Sequence, residues 1–134
     1  MSNDQTTKLT SLVTNKNIKI SRDAPVNVGA EQALLGAILS NNLALEKVED
    51  FLEPRHFSSK TNSVIFHTLK NLISNNQIAD LNTLKIFLEN DNDLIGSGGL
   101  EYLLKISENP ISIINAKQYG ELIYDLFLRR QLIN

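Results

Sequence analysis

The sequence predicts an all-α domain, a compact bundle of about six helices, over residues 25–134. From Pro25 onward, apolar residues recur at the spacing of amphipathic helices, and Asn, Asp, Gly and Pro separate these segments. Strand signals are weak, because the β-branched run at residues 111–114 is short and isolated. These observations together favour helices packed on helices.

The first two helices are predicted directly after Pro25. Asn27 suits the N-cap of the first helix, since its side chain can accept hydrogen bonds from the amides of the first turn. Gly36 costs about 1 kcal/mol relative to Ala inside a helix, so we expect a neighbouring helix to pack closely there. A second, short helix is predicted around residues 45–52, and it ends before Pro54 because Pro disfavours helical geometry in the preceding residue.

Three further helices follow in the middle of the chain. The third is predicted at about residues 60–74, with Asn75 and its polar neighbours ending it. Asp80 suits the N-cap of the fourth, whose apolar side is Leu81, Leu84, Phe87 and Leu88. A polar break at residues 89–93 and a Gly-rich turn at 96–99 separate it from a fifth helix, which carries Leu100, Leu103, Leu104 and Ile106.

The last helix is predicted to be the longest. Asn115 with Gln118 resembles a capping box at its start. Its apolar positions are Tyr119, Leu122, Ile123, Leu126, Phe127, Leu128 and Ile133. The helical pattern persists up to Asn134 without a Gly or Pro terminator, so we expect the sequence to be cut inside a helix.

Residues 1–24 differ from the rest of the chain. They are rich in Asn, Thr, Ser and Lys, and their four basic and two acidic residues give a net charge of +2. Residues 25–134 carry nine basic and thirteen acidic residues, a net charge of −4. Because such a polar segment buries little apolar surface, we predict a disordered or weakly docked N-terminal arm.

Composition excludes several classes of protein. The chain has 134 residues, enough for one domain, and its net charge of −2 argues against a protein that mainly holds nucleic-acid phosphates. It has no Cys, which excludes disulfides, thiolate metal sites and a cysteine nucleophile. No apolar run approaches the roughly 18 residues that span a bilayer. We therefore expect a cytoplasmic protein without a membrane segment.

No catalytic pattern stands out. His56 and His67 lack the additional ligands of a metal site, so we interpret them as surface or helix-flank histidines. The Gly-rich turn at 96–99 is followed by Leu100-Glu101 and not by the Lys of a phosphate-binding loop. The acidic cluster around Asp50 fits a solvated helix face, and Arg129-Arg130 suits either a phosphate or acidic partner or the negative end of a helix dipole.

Five blocks of the sequence resemble the N-terminal domain of DnaB-type replicative helicases. The first runs from Pro25 to Leu39, with Ala30-Glu31 and Leu35-Gly36 in matching order. The others are Pro54-x-x-Phe57 with Ile65-Phe66, Asp80-Leu81-x-Thr83-Leu84, Gly98-Gly99-x-x-Tyr102-Leu103, and Pro110-x-x-x-x-Asn115-x-x-x-Tyr119 with Arg129-Arg130-x-Leu132-Ile133. The departures are Asn62, Ala79 and Gly120, where the family often has His, Val or Ile, and Ala.

The resemblance implies a non-catalytic domain of an ATP-driven hexameric helicase at the replication fork. The motor, with its ATP and magnesium, would lie in a separate domain, so we expect neither catalytic residues nor cofactors here. The family's domain is a helical head followed by a helical hairpin, and paired hairpins form a collar that recruits the C-terminal domain of primase. The implied partners are further copies of the chain, primase and possibly a helicase loader, without direct DNA contact.

Two sets of interaction residues follow from the resemblance and the apolar pattern. The predicted self-association residues are Tyr119, Ile123, Leu126, Phe127 and Arg130. The predicted primase-facing residues are Tyr102 and Ile133. Plain core packing is the alternative for each of them. A small DNA-binding helical module, suggested by the arginine pair and the basic arm, is the alternative function, and a small enzyme is the least supported.

Overall fold

The structure is a computed structural model, and it describes residues 24–108 and 113–133. Over these residues it contains six α-helices and no strand, so the all-α prediction is confirmed. The helices are α1 (Val28–Ser40), α2 (Lys60–Ser74), α3 (Leu81–Leu88), α4 (Asn92–Gly96), α5 (Leu100–Ser107) and α6 (Ile113–Ile133). Two 3₁₀ helices, Asn42–Lys47 and Pro54–His56, connect α1 to α2. The predicted N-terminal arm, except Ala24, lies outside the described residues.

The chain divides into two compact units. One unit is Asn27–Asp125, which we call the head. The other joins Met1–Val26 to Leu126–Asn134, and within it the structure describes residues 24–26 and 126–133. We call this second unit the end unit, and each unit is described by itself.

α1 forms the centre of the head. Its side chains Leu34, Leu35 and Ile38 are completely buried. α1 packs on α2 and α5, α3 contacts α2 and α5, and α4 contacts α2. Gly36 is buried within α1. The remaining large buried side chains of this core include Leu52, Ile65, Phe66, Leu69, Leu84, Leu103, Ile106 and Ile123.

Local hydrogen bonds fix where the helices begin. The Asn27 side chain accepts from the Ala30 amide at 2.9 Å, and Asp80 accepts from the Thr83 amide at 3.0 Å. The Thr83 hydroxyl in turn accepts from the Asp80 amide at 2.9 Å, which completes a capping box. Both predicted N-caps are confirmed, and α2 has the predicted bounds.

The segment after α1 differs from its prediction. The second helix is a 3₁₀ helix that ends at Lys47, although the predicted apolar residues Leu45, Val48 and Leu52 are buried. The Asn42 side chain donates to the Ile38 and Ala79 carbonyls, both at 2.8 Å, and accepts from the Ala79 amide at 2.9 Å. These bonds join the segment before α3 to the end of α1. The 3₁₀ turn is therefore held in place by residues that are distant in sequence.

Three other expectations were wrong. Residues 92–96 form α4, capped by the Asp91 side chain at 3.0 Å from the Leu94 amide, where a break was expected. α6 begins at Ile113, so Asn115 lies inside its first turn and not at the cap. Phe87 is 60% exposed, because α3 is short and buries only Leu84 and Leu88.

Gly120 marks a close approach of α6 to the segment after the first 3₁₀ helix. A Cβ atom built on Gly120 would overlap the Val48 side chain and lie 3.4 Å from Cζ of Phe51. Gly120 is one of the departures from the family's sequence blocks, which often have Ala here. The structure indicates that the missing side chain makes room for Val48.

We predict that Gly120→Ala destabilises the domain by about 1–3 kcal/mol, because the new methyl group overpacks against Val48. Urea unfolding measures this change. Gly96→Ala is the matched control, since no atom lies within 4 Å of its Cβ position, and we expect it to be neutral or stabilising. Adding Val48→Ala to Gly120→Ala should cost less than the two single changes together; simple additivity would contradict the packing explanation.

Candidate interaction surfaces

A buried carboxylate connects α1 to the start of α2. Glu31 is 2% exposed. One of its oxygens accepts from the Ser58 amide at 2.8 Å and the Ser58 hydroxyl at 2.7 Å. The other accepts from the Ser59 amide at 3.3 Å and the Asn62 side-chain amide at 2.9 Å. The carboxylate therefore lies beside the N-terminus of α2, where a negative charge is favourable, while the Ser59 hydroxyl caps the helix by accepting from the Asn62 amide.

The same chain of hydrogen bonds continues to α5. The Tyr102 hydroxyl donates to the side-chain oxygen of Asn62 at 2.6 Å, and it accepts from the Gln32 side-chain amide at 3.2 Å. Tyr102 is half-buried and packs against the core. Hydrogen bonds between side chains thus join the three helices α1, α2 and α5, and each of these polar groups has a partner inside the domain. The hydroxyl is used inside the domain, so a partner would meet the ring of Tyr102 and not its polar tip.

Exposed apolar side chains lie on both α4 and α5. Ile95, Leu100 and Leu104 are 55%, 42% and 40% exposed. A groove of about 420 Å³ lies beside them, lined by Lys85, Glu89, Leu94, Gly99, Leu100 and Leu103. We call Ile95, Leu100 and Leu104 the α5 surface. The sequence pattern placed Leu100 and Leu104 on the same helix as the buried Leu103 and Ile106 and did not distinguish exposed from buried positions.

α3 presents a second apolar surface that was not predicted. Ile86 is 68% exposed and Phe87 60%. Phe87 also lines a groove together with polar side chains from the end of α2, including Asn71 and Asn75.

One of the two histidines, His56, does not lie at the surface as the sequence analysis predicted. His56 is 1% exposed, its Nδ1 accepts from the Glu53 amide at 2.9 Å, and its ring stacks edge-on against Tyr124 at 4.9 Å. It is a buried core histidine and not a surface one, whereas His67 is exposed on α2. Among the described residues no group of three His, Asp or Glu could hold a metal ion.

The surface beside His56 carries an exposed ion pair. The Arg55 guanidinium lies 2.9 Å from Glu53 and, through its hydrogen bond and its charge, holds the pKa of Glu53 below the usual value. Both side chains are more than half exposed, so the pair contributes little to stability. Nothing in it resembles a tuned catalytic acid or base.

The head contains part of the predicted self-association set. Ile123 is 1% exposed, so core packing, the alternative given for each residue, describes it. Tyr119 is half-buried and packs against the same core. This part of α6 also has an outward side. Leu122 is 37% exposed there. A shallow groove is lined by Phe51, Lys117, Glu121 and Tyr124.

The end unit contains the other predicted residues of α6. Leu126 and Phe127 are half-buried, and Ile133 is 40% exposed. The Arg130 side chain donates from Nη1 to the Pro25 carbonyl at 3.0 Å, and its guanidinium lies 5.9 Å from the centre of the Phe127 ring. Arg130 therefore holds the described start of the chain against α6. Partner roles for these residues stay predictions.

Comparison with known proteins decides the family. The family model for the DnaB-like helicase N-terminal domain matches residues 23–125, most of the chain. The chain belongs to the DnaB-like helicase N-terminal domain family. The head described above lies wholly inside the matched range, which agrees with the resemblance seen in the sequence blocks.

Related proteins support this assignment. The chain is 38% identical over 126 residues to the replicative DNA helicase DnaB of Rickettsia typhi, covering 92% of this chain and 25% of that protein. It is 32% identical to the replicative DNA helicase DnaB of Pasteurella multocida, covering 82% of this chain and 24% of that protein. The chain thus spans about a quarter of the length of these curated relatives.

A solved structure has the same fold. The crystal structure of the N-terminal domain of DnaB helicase from Mycobacterium tuberculosis superposes with a TM-score of 0.76 at 25% identity. The match covers 83% of this chain and 80% of that one. No helix in the described part of this DnaB-like domain is long and apolar enough to cross a bilayer.

We predict that Glu31→Gln lowers the unfolding free energy by about 1–3 kcal/mol, because an amide turns donors toward partners that already donate to this site. Urea denaturation provides the measurement. Glu101→Gln, an exposed site on α5, is the matched control and should change stability by less than about 0.5 kcal/mol. Equal effects at the two positions would show that the network contributes no stability.

Proposed function

We propose that this DnaB-like domain is the non-catalytic N-terminal part of a replicative DNA helicase, which assembles chains into a collar and recruits primase. The observation that carries the proposal is the apolar surface at the end of α6. Leu128 is 43% exposed and Leu132 86%, one helical turn apart. Exposed apolar side chains in register on one helix favour burial against another polypeptide.

In this proposal, ATP hydrolysis takes place in a separate domain of the longer protein. The curated relatives are named replicative helicases and are about four times longer than this chain. In this arrangement the domain contributes contacts and geometry, and ATP hydrolysis takes place in the other part of the longer protein. ATP and magnesium would bind the motor of the longer protein.

For primase recruitment we propose the ring of Tyr102 together with Ile133, as the sequence blocks suggested. The α5 surface supports a partner near Tyr102, because Leu100 and Leu104 supply exposed apolar area on the same helix. A half-buried aromatic ring held by a fixed hydroxyl loses little entropy on binding, which suits an interface anchor. A helicase loader remains a further proposed partner.

The self-association proposal predicts concentration-dependent sedimentation of the chain in analytical ultracentrifugation. Leu132→Asp should abolish or weaken this association at least tenfold, because a charge would have to be buried with the exposed leucine face. Leu43→Asp, at a leucine of the head that is 57% exposed, is the matched control and should associate like the unchanged chain. A purely monomeric chain at millimolar concentration would contradict self-association through α6.

The recruitment proposal predicts that Tyr102→Ala weakens binding of the primase C-terminal domain about tenfold or more in calorimetry. Tyr102→Phe should bind within about threefold of the unchanged chain, because the hydroxyl points into the domain. Thermal unfolding of both variants separates lost binding from lost folding. Absence of heat or complex with the unchanged chain at high micromolar concentration would contradict recruitment, and a salt-dependent band shift on DNA would favour the DNA-binding alternative instead.

A further inference from the structure

One side of the first half of α6 has the residue spacing of a helix that pairs with another helix. Ile114, Lys117, Glu121 and Tyr124 follow one another at intervals of three, four and three residues, which keeps their side chains along one side of the helix. Ile114 is 81% exposed, and Lys117 and Glu121 are exposed as well. All four residues lie in the head, and we call them the α6 seam.

A groove of about 500 Å³ lies along the α6 seam. It is lined by Lys117, Glu121 and Tyr124 together with Phe51, whose ring lies edge-on to that of Tyr124 with 6.1 Å between the ring centres. Phe51 and Tyr124 are half-buried and pack against the core, so both rings are held in place. The groove therefore combines a fixed apolar wall with two exposed side chains of opposite charge.

Lys117 and Glu121 do not form an ion pair with each other. Within the part of the chain that the structure describes, no ion pair within 4 Å includes either side chain. Their order, with the lysine one turn before the glutamate, is the less favourable one for an ion pair inside a helix. Both charges can therefore pair with opposite charges on another polypeptide.

A second copy of the same chain carries opposite charges at the required positions. In an antiparallel pair of α6 helices, a twofold axis at the level of Tyr119 places Lys117 of each copy opposite Glu121 of the other. The same axis places Ile114 at the level of Tyr124, because these residues lie five positions before and after 119. A parallel pair would instead place lysine opposite lysine and glutamate opposite glutamate, so repulsion disfavours it.

We propose that two copies of this chain pair their heads through antiparallel α6 seams. Ile114 of each copy enters the groove of the other, and the two Lys117–Glu121 pairs set the direction and register of the helices. The inference rests on the proposed self-association, but it uses a different part of α6 from Leu128 and Leu132. Either contact can therefore fail while the other stands.

Charge reversal followed by analytical ultracentrifugation tests the pairing. Lys117→Glu or Glu121→Lys alone should weaken self-association about tenfold, because each change places like charges opposite each other twice in the pair. The double variant, which keeps the net charge, and an equimolar mixture of the two single variants should both restore association, since every charge then meets its opposite. Single variants that associate like the unchanged chain, or no recovery in the mixture, overturn the proposal.

The matched controls for these variants are on α3. Lys85→Glu and Glu89→Lys reverse two exposed charges that have the same order and the same spacing of four residues. Both should associate like the unchanged chain. An equal loss at these positions would show that the effect depends on charge in general and not on the α6 seam, and it would overturn the proposal.

Two further variants separate this contact from the one in the proposed function. Ile114→Ser should weaken association about fivefold or more, whereas Ile78→Ser, at an isoleucine that is 70% exposed, is its control. Leu132→Asp leaves the α6 seam intact. Association that is lost in Leu132→Asp but unaffected by the changes at Lys117 and Glu121 overturns this inference alone, and the reverse result contradicts contact through the end of α6. A chain that stays monomeric overturns both.

Discussion

The hydrogen bonds of the Glu31 carboxylate are the constraint on which the head depends. This one side chain accepts from the amides of Ser58 and Ser59, just before α2, and from the side chain of Asn62, whose own oxygen accepts from Tyr102 on α5. A buried carboxylate without these partners would be strongly unfavourable, so the loop at Ser58 and Ser59 has to be in place when α1 and α2 pack. The network therefore selects one arrangement of the three helices, where apolar packing alone would tolerate several.

Features that depend on neighbouring residues were predictable from the sequence. Asn27 and Asp80 cap their helices because a short polar side chain precedes an apolar stripe, and α2 ends at Ser74, before polar residues. The bonds of Glu31 were not predictable in this way, since its partners lie 27 to 31 residues further along the chain. The 3₁₀ turn after α1 was not predictable for the same reason, because the side chain of Asn42 bonds to Ala79, 37 residues away.

Exposure was harder to predict than helix location. The short helices α3 and α5 have more apolar residues than their buried sides need, so Phe87, Leu100 and Leu104 belong to the apolar pattern of the sequence although they face solvent. At Ile123, core packing, which was the alternative to a role in self-association, describes the residue in the head. Only the arrangement of neighbouring helices decides which part of a wide apolar stripe is covered.

α6 combines these two situations in one helix. In the head it contributes Ile123 and the close approach at Gly120, where a single methyl group would overlap Val48. In the end unit the same helix carries Leu128 and Leu132 outward and binds Pro25 through Arg130. The two parts of α6 therefore obey different constraints. A substitution at Gly120 or Ile123 acts on the core of the head, whereas Leu128 and Leu132 are exposed apolar side chains that a partner could bury without any change in that core.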